Sequence, residues 1–255
     1  MKQEASTHAL VRPPGDSFAR AISSSRAQPD AHLARAEHAE YCHALAAAGL
    51  SVEVLPPDES YPDSCFMQDP ALVIAGQAII GRLGAPSRQG EEAALAERLA
   101  KNFPLAPITA PGTLEGGDVM ALPSRVLVGQ SGRTNAAGIG QLAQILTPIG
   151  LAVEAVLVTN TLHLLTGVTH VGQNTVLAVV AYAAHPAFAG MEVITVPPEE
   201  AYAANVLAIG GNVILPAGYP RVARELATRG FTVLPVPMTQ FAAADGGVTC
   251  LSLVW

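Results

Sequence analysis

Charged residues are scarce in this chain. Lys, Arg, Asp and Glu make up 14% of its 255 residues, against roughly 25% in an average soluble domain. Half of the residues are hydrophobic, which is enough to build a buried core. The composition therefore excludes an intrinsically disordered protein, and it also excludes collagen-like and low-complexity classes.

Positive charge is especially sparse. Only two lysines, Lys2 and Lys101, occur among 14 basic residues, and the formal net charge is −7. The arginines form no cluster along the sequence. Because nucleic-acid binding needs a basic surface, we expect no nucleic-acid partner.

Long hydrophobic runs and cysteines are also few. The longest uninterrupted apolar run, Val176–Ala184, has nine residues, whereas a membrane-spanning helix needs about 20. The first residues contain no apolar signal-peptide region, so neither a membrane partner nor secretion is expected. Three cysteines do not make a disulfide framework, and a reducing cytoplasm is the expected location.

A weak internal repeat organises the rest of the sequence at intervals of roughly 40 to 50 residues. Each copy has two short apolar runs separated by Gly, Asn or Pro, which predict a β-hairpin, followed by a helical pattern and a third apolar run. The predicted hairpins begin at Asp69, Asp118, Val168 and Asn205. The predicted helices are Gln89–Phe103, Thr134–Ile149 and Pro220–Arg229, and in the third copy this segment is short and interrupted by Pro186 and Gly190. The predicted third strands are Ala106–Thr109, Leu151–Val158, Glu192–Val196 and Phe231–Val236.

A fifth copy is complete only if the two ends of the chain combine. Its predicted elements are Gly247–Val254, Ala9–Arg12, the helix Pro29–Ala48 and Ser51–Leu55. Pairing the first and last strands closes a ring of repeats without free edges. We therefore predict one α/β domain over residues 1–255, a ring of five ββαβ units around a central cleft, with an open α/β sheet as the alternative.

Polar residues recur where the first strand of each unit begins. In a ring these positions face the axis, so residues distant in sequence meet in one cleft, as nucleophilic catalysis requires. The residues are Gln68, Asp69, Glu115, Asp118, His163, Asn205, Asp245 and Cys250.

Taken singly, these residues leave alternatives open. Cys250 follows two glycines that permit an unusual backbone turn, but a buried structural cysteine is the commoner case. His163 stands between apolar residues and also fits a core position. We interpret Cys42 as a packing residue, and the role of Cys65 is left open. The histidines show no metal-ligand spacing, and no nucleotide-binding glycine motif occurs, so no metal or cofactor is expected.

Seven short motifs occur in order along the chain. They are Pro62-Asp-Ser with Gln68-Asp-Pro, Arg88, Pro111-Gly-Thr-Leu-Glu-Gly-Gly-Asp118, Gly132-Arg-Thr-Asn135, Leu162-His-Leu-Leu-Thr-Gly167, Pro216-Ala-Gly-Tyr-Pro220 and Asp245-Gly-Gly-Val-Thr-Cys250. Together they resemble the dimethylarginine dimethylaminohydrolase family of guanidine-modifying enzymes, to whose superfamily arginine deiminase belongs. The resemblance implies the five-bladed α/β propeller (pentein) fold, in agreement with the repeat.

The resemblance also implies a chemistry. The Cys250 thiolate attacks the guanidinium carbon of an arginine-like substrate, His163 acts as general acid and then general base, and Glu115 orients His163. The expected products are citrulline and an amine, formed through a covalent thiouronium.

Substrate-binding positions follow from the same resemblance. Asp69 binds the guanidinium, Arg88 and Arg133 bind the α-carboxylate, and Asp63 with the Ile22 carbonyl binds the α-ammonium. Gln68 and Ala244 complete the expected set. The expected partner is a small guanidino amino acid, and a homodimer is left open.

One position departs from the family pattern. The family usually has Glu-Asp where this chain has Gln68-Asp69, and the lost charge is worth about 1–3 kcal/mol beside a desolvated guanidinium. The substrate is therefore less certain than the reaction class, and arginine, monomethylarginine or another guanidino or ureido compound stays open. A non-catalytic amino-acid-binding protein and a metal hydrolase are the alternatives from other classes.

Overall fold

The computed structural model describes residues 6–24 and 28–255. Its strands form five sheets of three strands each. In chain order the strands are β1 His8–Val11, β2 Ser51–Val54, β3 Ala71–Ile74, β4 Gln77–Ile80, β5 Leu105–Pro107, β6 Val119–Ala121, β7 Arg125–Gln130, β8 Ala152–Leu157, β9 Val168–Gly172, β10 Thr175–Val179, β11 Glu192–Val196, β12 Leu207–Ile209, β13 Asn212–Pro216, β14 Thr232–Val236 and β15 Ser252–Val254.

Seven α-helical segments lie between these strands in the described part of the chain. They are α1 Ala31–Ala47, α2 Glu92–Leu99, α3 Ala136–Leu146, α4 Leu164–Gly167, α5 Val180–Ala183, α6 Pro220–Thr228 and α7 Thr239–Ala243. Two 3-10 helices also bear on the site, Pro198–Ala204 and Val248–Leu251.

Every sheet has the same internal order. A central strand (β1, β4, β7, β10 or β13) pairs antiparallel with one neighbour and parallel with the other. The antiparallel pairs β3–β4, β6–β7, β9–β10 and β12–β13 are the four predicted hairpins. The parallel strand follows after a helical segment, because a parallel pair needs a crossover connection. The predicted ββαβ repeat is confirmed.

The two ends of the chain meet in one sheet, as predicted. Strand β15 pairs antiparallel with β1, with Leu10 opposite Leu253. The first half of the predicted strand Gly247–Val254 is wrong, since residues Val248–Leu251 form a 3-10 turn. The Cys250 N–H donates to the Gly247 carbonyl at 3.1 Å, so this segment uses its backbone donors locally rather than in a strand ladder.

Two predicted helices are shorter than expected. Helix α2 covers only the middle of Gln89–Phe103. Helix α3 begins after Asn135, whose side chain accepts the Gly138 N–H, and it gives way to a 3-10 turn at Thr147–Ile149. Pro148 lies in that turn, and proline cannot continue an α-helix because it lacks the N–H.

The described residues form two compact units. The first comprises residues 68–166 with Trp255 and contains the sheets β3-β4-β5 and β6-β7-β8. The second comprises 6–24, 28–67 and 167–254 and contains the other three sheets. The single domain over residues 1–255 stays a prediction. Of the helices in the described ranges, none combines the length and the hydropathy of a membrane-spanning segment.

Candidate active site

The first unit contains a buried carboxylate–imidazole pair. Glu115 is 0% exposed and its Oε2 lies 2.7 Å from His163 Nε2. Its other oxygen, Oε1, accepts the Gly84 N–H at 2.8 Å, and its own N–H donates to Thr134 Oγ1. Because an ionised carboxylate only accepts hydrogen bonds, this contact places a proton on Nε2 and fixes the plane of the ring.

A buried ion-pair group lies beside that pair. The Nη1 of Arg88 donates to Asp69 Oδ2 at 2.7 Å, while its Nε and Nη2 donate to Glu91. Arg88 is only 5% exposed, so its charge is compensated by two carboxylates in the fold itself. The contact between Arg88 and Glu91 was not predicted from the sequence.

Two glycines bring these groups close together. A Cβ on Gly116 would lie 2.0 Å from the Gln68 carbonyl oxygen, and one on Gly117 would lie 2.8 Å from His163 Nδ1 and 2.9 Å from Asp69 Oδ1. The Gly117 N–H donates to the same Asp69 oxygen. Gly116 and Gly117 are thus needed because any side chain there would clash with the Gln68 carbonyl or with the His163 and Asp69 side chains.

The charges around His163 keep its imidazole protonated. Burial disfavours the charged ring, but the Asp69 carboxylate and the Glu115 hydrogen bond outweigh it and raise the pKa of His163 to about 9. The same coupling acts in reverse on Asp69. Burial raises the pKa of this carboxyl, whereas the positive charges of His163 and Arg88 lower it, and the net direction is downward. At neutral pH the group therefore contains an imidazolium beside carboxylates.

Asp118, which was expected in the cleft without a catalytic or substrate-binding role, supports the segment that carries His163. Its Oδ1 accepts the N–H of Leu164, the residue after His163, at 2.9 Å, and its Oδ2 accepts from Ser131 Oγ at 2.6 Å. Burial raises the pKa of Asp118 despite these bonds and the positive charge of His163. Its place at the end of a motif that begins with Glu115 was the available signal.

One set of donor atoms in this group has the spacing of a metal site. Single ligand atoms of Asp69, Glu115 and His163 lie within 4.8 Å of one another. However, the Nε2 of His163 is already bound to Glu115, and Arg88 already supplies a positive charge to Asp69. The donor set therefore fits an internally compensated ion-pair network better than a bare cation site.

Two further predicted positions lie in the same unit. The Nη1 of Arg133 is 3.8 Å from Glu115 Oε1, and its side chain is more exposed than that of Arg88. The Oε1 of Gln68 is buried and has no hydrogen-bond partner among residues 6–24 and 28–255. An unsatisfied buried acceptor is costly, so a partner for this atom is expected.

The second unit contains the Cys250 turn. Cys250 is half-buried, and its Sγ accepts the Gly247 N–H at 3.3 Å. Asp245 begins this segment with φ at +58°, a left-handed conformation that few non-glycine residues adopt. The Tyr202 hydroxyl donates to the Gly246 carbonyl at 2.7 Å, so the turn is fixed on more than one side.

The remaining predicted positions lie in the same unit. The Ile22 N–H donates to Asp63 Oδ1 at 3.1 Å. Ser24 donates to the Asp245 carboxylate through both its N–H and its hydroxyl, which ties the loop after Ile22 to the segment before Cys250. Ala244, the neighbour of Asp245, is buried. The predicted positions thus fall into two groups: Gln68, Asp69, Arg88, Glu115, Arg133 and His163 in the first unit, and Ile22, Asp63, Ala244 and Cys250 in the second.

Comparison with solved structures defines the class of protein. A dimethylarginine dimethylaminohydrolase from Pseudomonas aeruginosa, solved as a cysteine-to-serine variant with citrulline, has a TM-score of 0.96 and 37% identity, covering 98% of this chain and 100% of that one. A second dimethylarginine dimethylaminohydrolase, a histidine-to-glycine variant in an adduct with S-methyl-L-thiocitrulline, also has a TM-score of 0.96, with 38% identity over 98% of this chain and 100% of that one. The predicted five-bladed α/β propeller class is confirmed.

Sequence comparison identifies the family. The N(G),N(G)-dimethylarginine dimethylaminohydrolase of Pseudomonas aeruginosa is 39% identical over 96% of this chain and 98% of that protein. The family model for eukaryotic N,N dimethylarginine dimethylhydrolase matches residues 13–252. The chain belongs to the dimethylarginine dimethylaminohydrolase family, and it is a hydrolase acting on C–N bonds.

Proposed function

We propose that this protein hydrolyses Nω-methylated arginine to citrulline and an amine, with Cys250 as the nucleophile and a covalent thiouronium intermediate. The observation that carries the proposal is the His163–Glu115 pair, buried and joined at 2.7 Å. It supplies an oriented proton donor of the kind that expulsion of an amine requires. The relatives solved with citrulline and with S-methyl-L-thiocitrulline support the same substrate class.

The first half of the reaction forms a bond to sulfur. The Cys250 thiolate adds to the guanidinium carbon, and the proton of the His163 imidazolium passes to the departing nitrogen as the C–N bond breaks. A pKa of about 9 for His163 supports this step, since the ring is protonated at neutral pH. The step leaves a neutral imidazole and a cationic thiouronium on Cys250.

The second half regenerates the enzyme. The neutral imidazole takes a proton from water, and the oxygen adds to the thiouronium carbon. The C–S bond then breaks with its electron pair returning to sulfur, while the hydroxyl added from water loses its proton to solvent, where the released amine takes one up, and becomes the ureido carbonyl. Citrulline leaves and the thiolate is restored. Glu115 stabilises the imidazolium at the end of the cycle as at the start.

Substrate recognition is the less specific part of the proposal. Asp69 and Gln68 would accept N–H donors of the guanidinium, and Arg133 with Arg88 would bind the α-carboxylate. Gln68 Oε1 has no hydrogen-bond partner in the described part of the chain. This supports arginine as a second candidate substrate, because unmethylated arginine offers more N–H donors than dimethylarginine.

The test is turnover by matched cysteine variants. Cys250→Ser should abolish formation of ureido product from dimethylarginine, monomethylarginine and arginine, because a serine hydroxyl is far less ionised than a thiol. Cys42→Ser is the control, since this half-buried cysteine lies on α1 and should remain active. Trapping a substrate-derived mass on the Cys250 peptide would support the covalent step, whereas more than about a tenth of wild-type activity in Cys250→Ser would refute it.

A further inference from the structure

Asn205 is a buried polar residue to which the proposed mechanism gives no part. It follows the 3-10 helix Pro198–Ala204 and precedes β12, and its side chain is 4% exposed. Burying an amide side chain destabilises the folded protein unless its donors and acceptors form hydrogen bonds. The hydrogen bonds of Asn205 therefore indicate its role.

The bonds of Asn205 lead to the residue before Cys250. Its Nδ2 donates to Thr249 Oγ1 at 2.9 Å, and its Oδ1 accepts the Thr249 N–H at 3.0 Å. One side chain therefore holds both the backbone and the side chain of Thr249. This paired contact fixes the orientation of the turn more strictly than a single bond would.

The Asn205 side chain also packs against Gly247, the residue at the start of the same turn. A Cβ on Gly247 would lie 2.5 Å from Asn205 Oδ1, so only glycine allows this approach. The Gly247 N–H in turn donates to Cys250 Sγ at 3.3 Å. Asn205 thus contacts the two residues, Gly247 and Thr249, that set where the sulfur lies and what donates to it.

We propose that Asn205 is a positioning residue for Cys250: it holds the turn so that Sγ keeps its hydrogen bond from the Gly247 N–H and a fixed orientation. This proposal rests on the proposed role of Cys250 as nucleophile. A donor at sulfur stabilises its negative charge. A displacement of about 1 Å in a reacting group can cost about 10²-fold in rate. Loss of Asn205 should therefore slow bond formation rather than weaken substrate binding.

The chain offers a matched control for a purely structural role. Thr169 is also buried, and its hydroxyl donates to the Ala204 carbonyl and accepts the Val206 N–H. It therefore supports both neighbours of Asn205, and within the described residues it has no hydrogen bond to the Cys250 turn. Thr169→Val removes a buried hydroxyl at the same place in the fold without touching that turn.

The experiment measures kcat, KM, Tm and the rate at which iodoacetamide alkylates Cys250, followed by peptide mass spectrometry. Asn205→Ala should lower kcat and the alkylation rate by about 10- to 100-fold, with KM within about threefold of wild type. Thr249→Val, which removes the hydroxyl partner, should lower both in the same direction, and Thr249→Ser should restore them. Thr169→Val should lower Tm and leave kcat and alkylation unchanged.

Three results would overturn the proposal: unchanged kcat and alkylation in Asn205→Ala, an equal loss in Thr169→Val, or a loss confined to KM. If Asn205→Ala does not fold, the Thr249→Val and Thr249→Ser pair decides, and equal rates in the two would refute it. Failure of the proposed function is a separate result, namely retained turnover in Cys250→Ser. In that case the alkylation rate of Cys250 still shows whether Asn205 positions the sulfur.

Discussion

Replacing His163 by glutamine should remove a pH-dependent part of the protein's stability. The imidazolium is buried against the Glu115 carboxylate, and the charge of Asp69 also acts on it. The neutral glutamine side chain can still donate a hydrogen bond toward Glu115 but has no charge to lose. The difference in free energy of unfolding between the wild type and His163→Gln therefore reports on the proton of His163.

The sign and size follow from the pKa. In the folded protein the pKa of His163 is raised to about 9, from 6.5 for an ordinary histidine. Its stabilising contribution is fully present below about pH 6.5 and is lost as the pH rises through about 9. Because one pH unit corresponds to about 1.4 kcal/mol, the full contribution is about 3 kcal/mol.

The assay is urea unfolding of both proteins at about pH 6 and about pH 9.5, with the unfolding free energies compared at each pH. Between these two pH values the unfolding free energy of the wild type should fall by about 3 kcal/mol more than that of His163→Gln. His43→Gln, at an exposed position on α1, serves as the control and should follow the wild type. A wild-type-minus-variant difference that is constant to within about 0.5 kcal/mol would show that His163 is not held protonated by its neighbours.

Two further outcomes are expected from substrate and inhibitor measurements. Gln68→Glu should lower KM for cationic guanidines, to a different extent for dimethylarginine and for arginine, and should not change the binding of a neutral ureido ligand. Unchanged kcat and KM for every substrate would place Gln68 outside the substrate site. A fall in kcat alone would place Gln68 in the chemical step. Iodoacetamide should abolish turnover whereas EDTA should leave it intact, and loss of activity to EDTA that Zn²⁺ restores would instead favour a metal hydrolase.

The repeat could be predicted from sequence because it rests on short local patterns. Apolar runs separated by Gly, Asn or Pro specify hairpins, and these signals repeat in each unit. Strand β11 was predicted with its observed bounds, Glu192–Val196. The error in the fifth unit falls where a tertiary contact competes with propensity. The segment before β15 is apolar enough for a strand, yet it turns because its backbone bonds locally and to the Asn205 side chain.

From the residues alone the site was predictable only as a set of residue types, and the pairing of Glu115 with His163 was expected only from the family resemblance. Motif order identified Glu115 and His163, but their mutual contact depends on the close packing at Gly116 and Gly117, which no pattern in one sequence reveals. Glu91 was missed because an acidic residue in a first helical turn already has a sufficient explanation in the helix dipole. Glu91 lies only three residues after its partner Arg88, but the burial of this ion pair cannot be inferred from the sequence.

The pairing of Asp69 with Arg88 bears directly on how a cationic substrate could be held. An ionised carboxylate offers about four lone-pair positions. Asp69 uses one on each oxygen, for Arg88 Nη1 and for the Gly117 N–H. Among the described residues each oxygen therefore retains one acceptor position for the guanidinium that is proposed to bind Asp69 beside Arg88. In that arrangement Arg88 reduces the Coulomb attraction between Asp69 and the guanidinium but also keeps Asp69 ionised in a buried place. On the proposed role of Asp69, the protein gives up some binding strength for an anion that is already charged, oriented and desolvated before substrate binds.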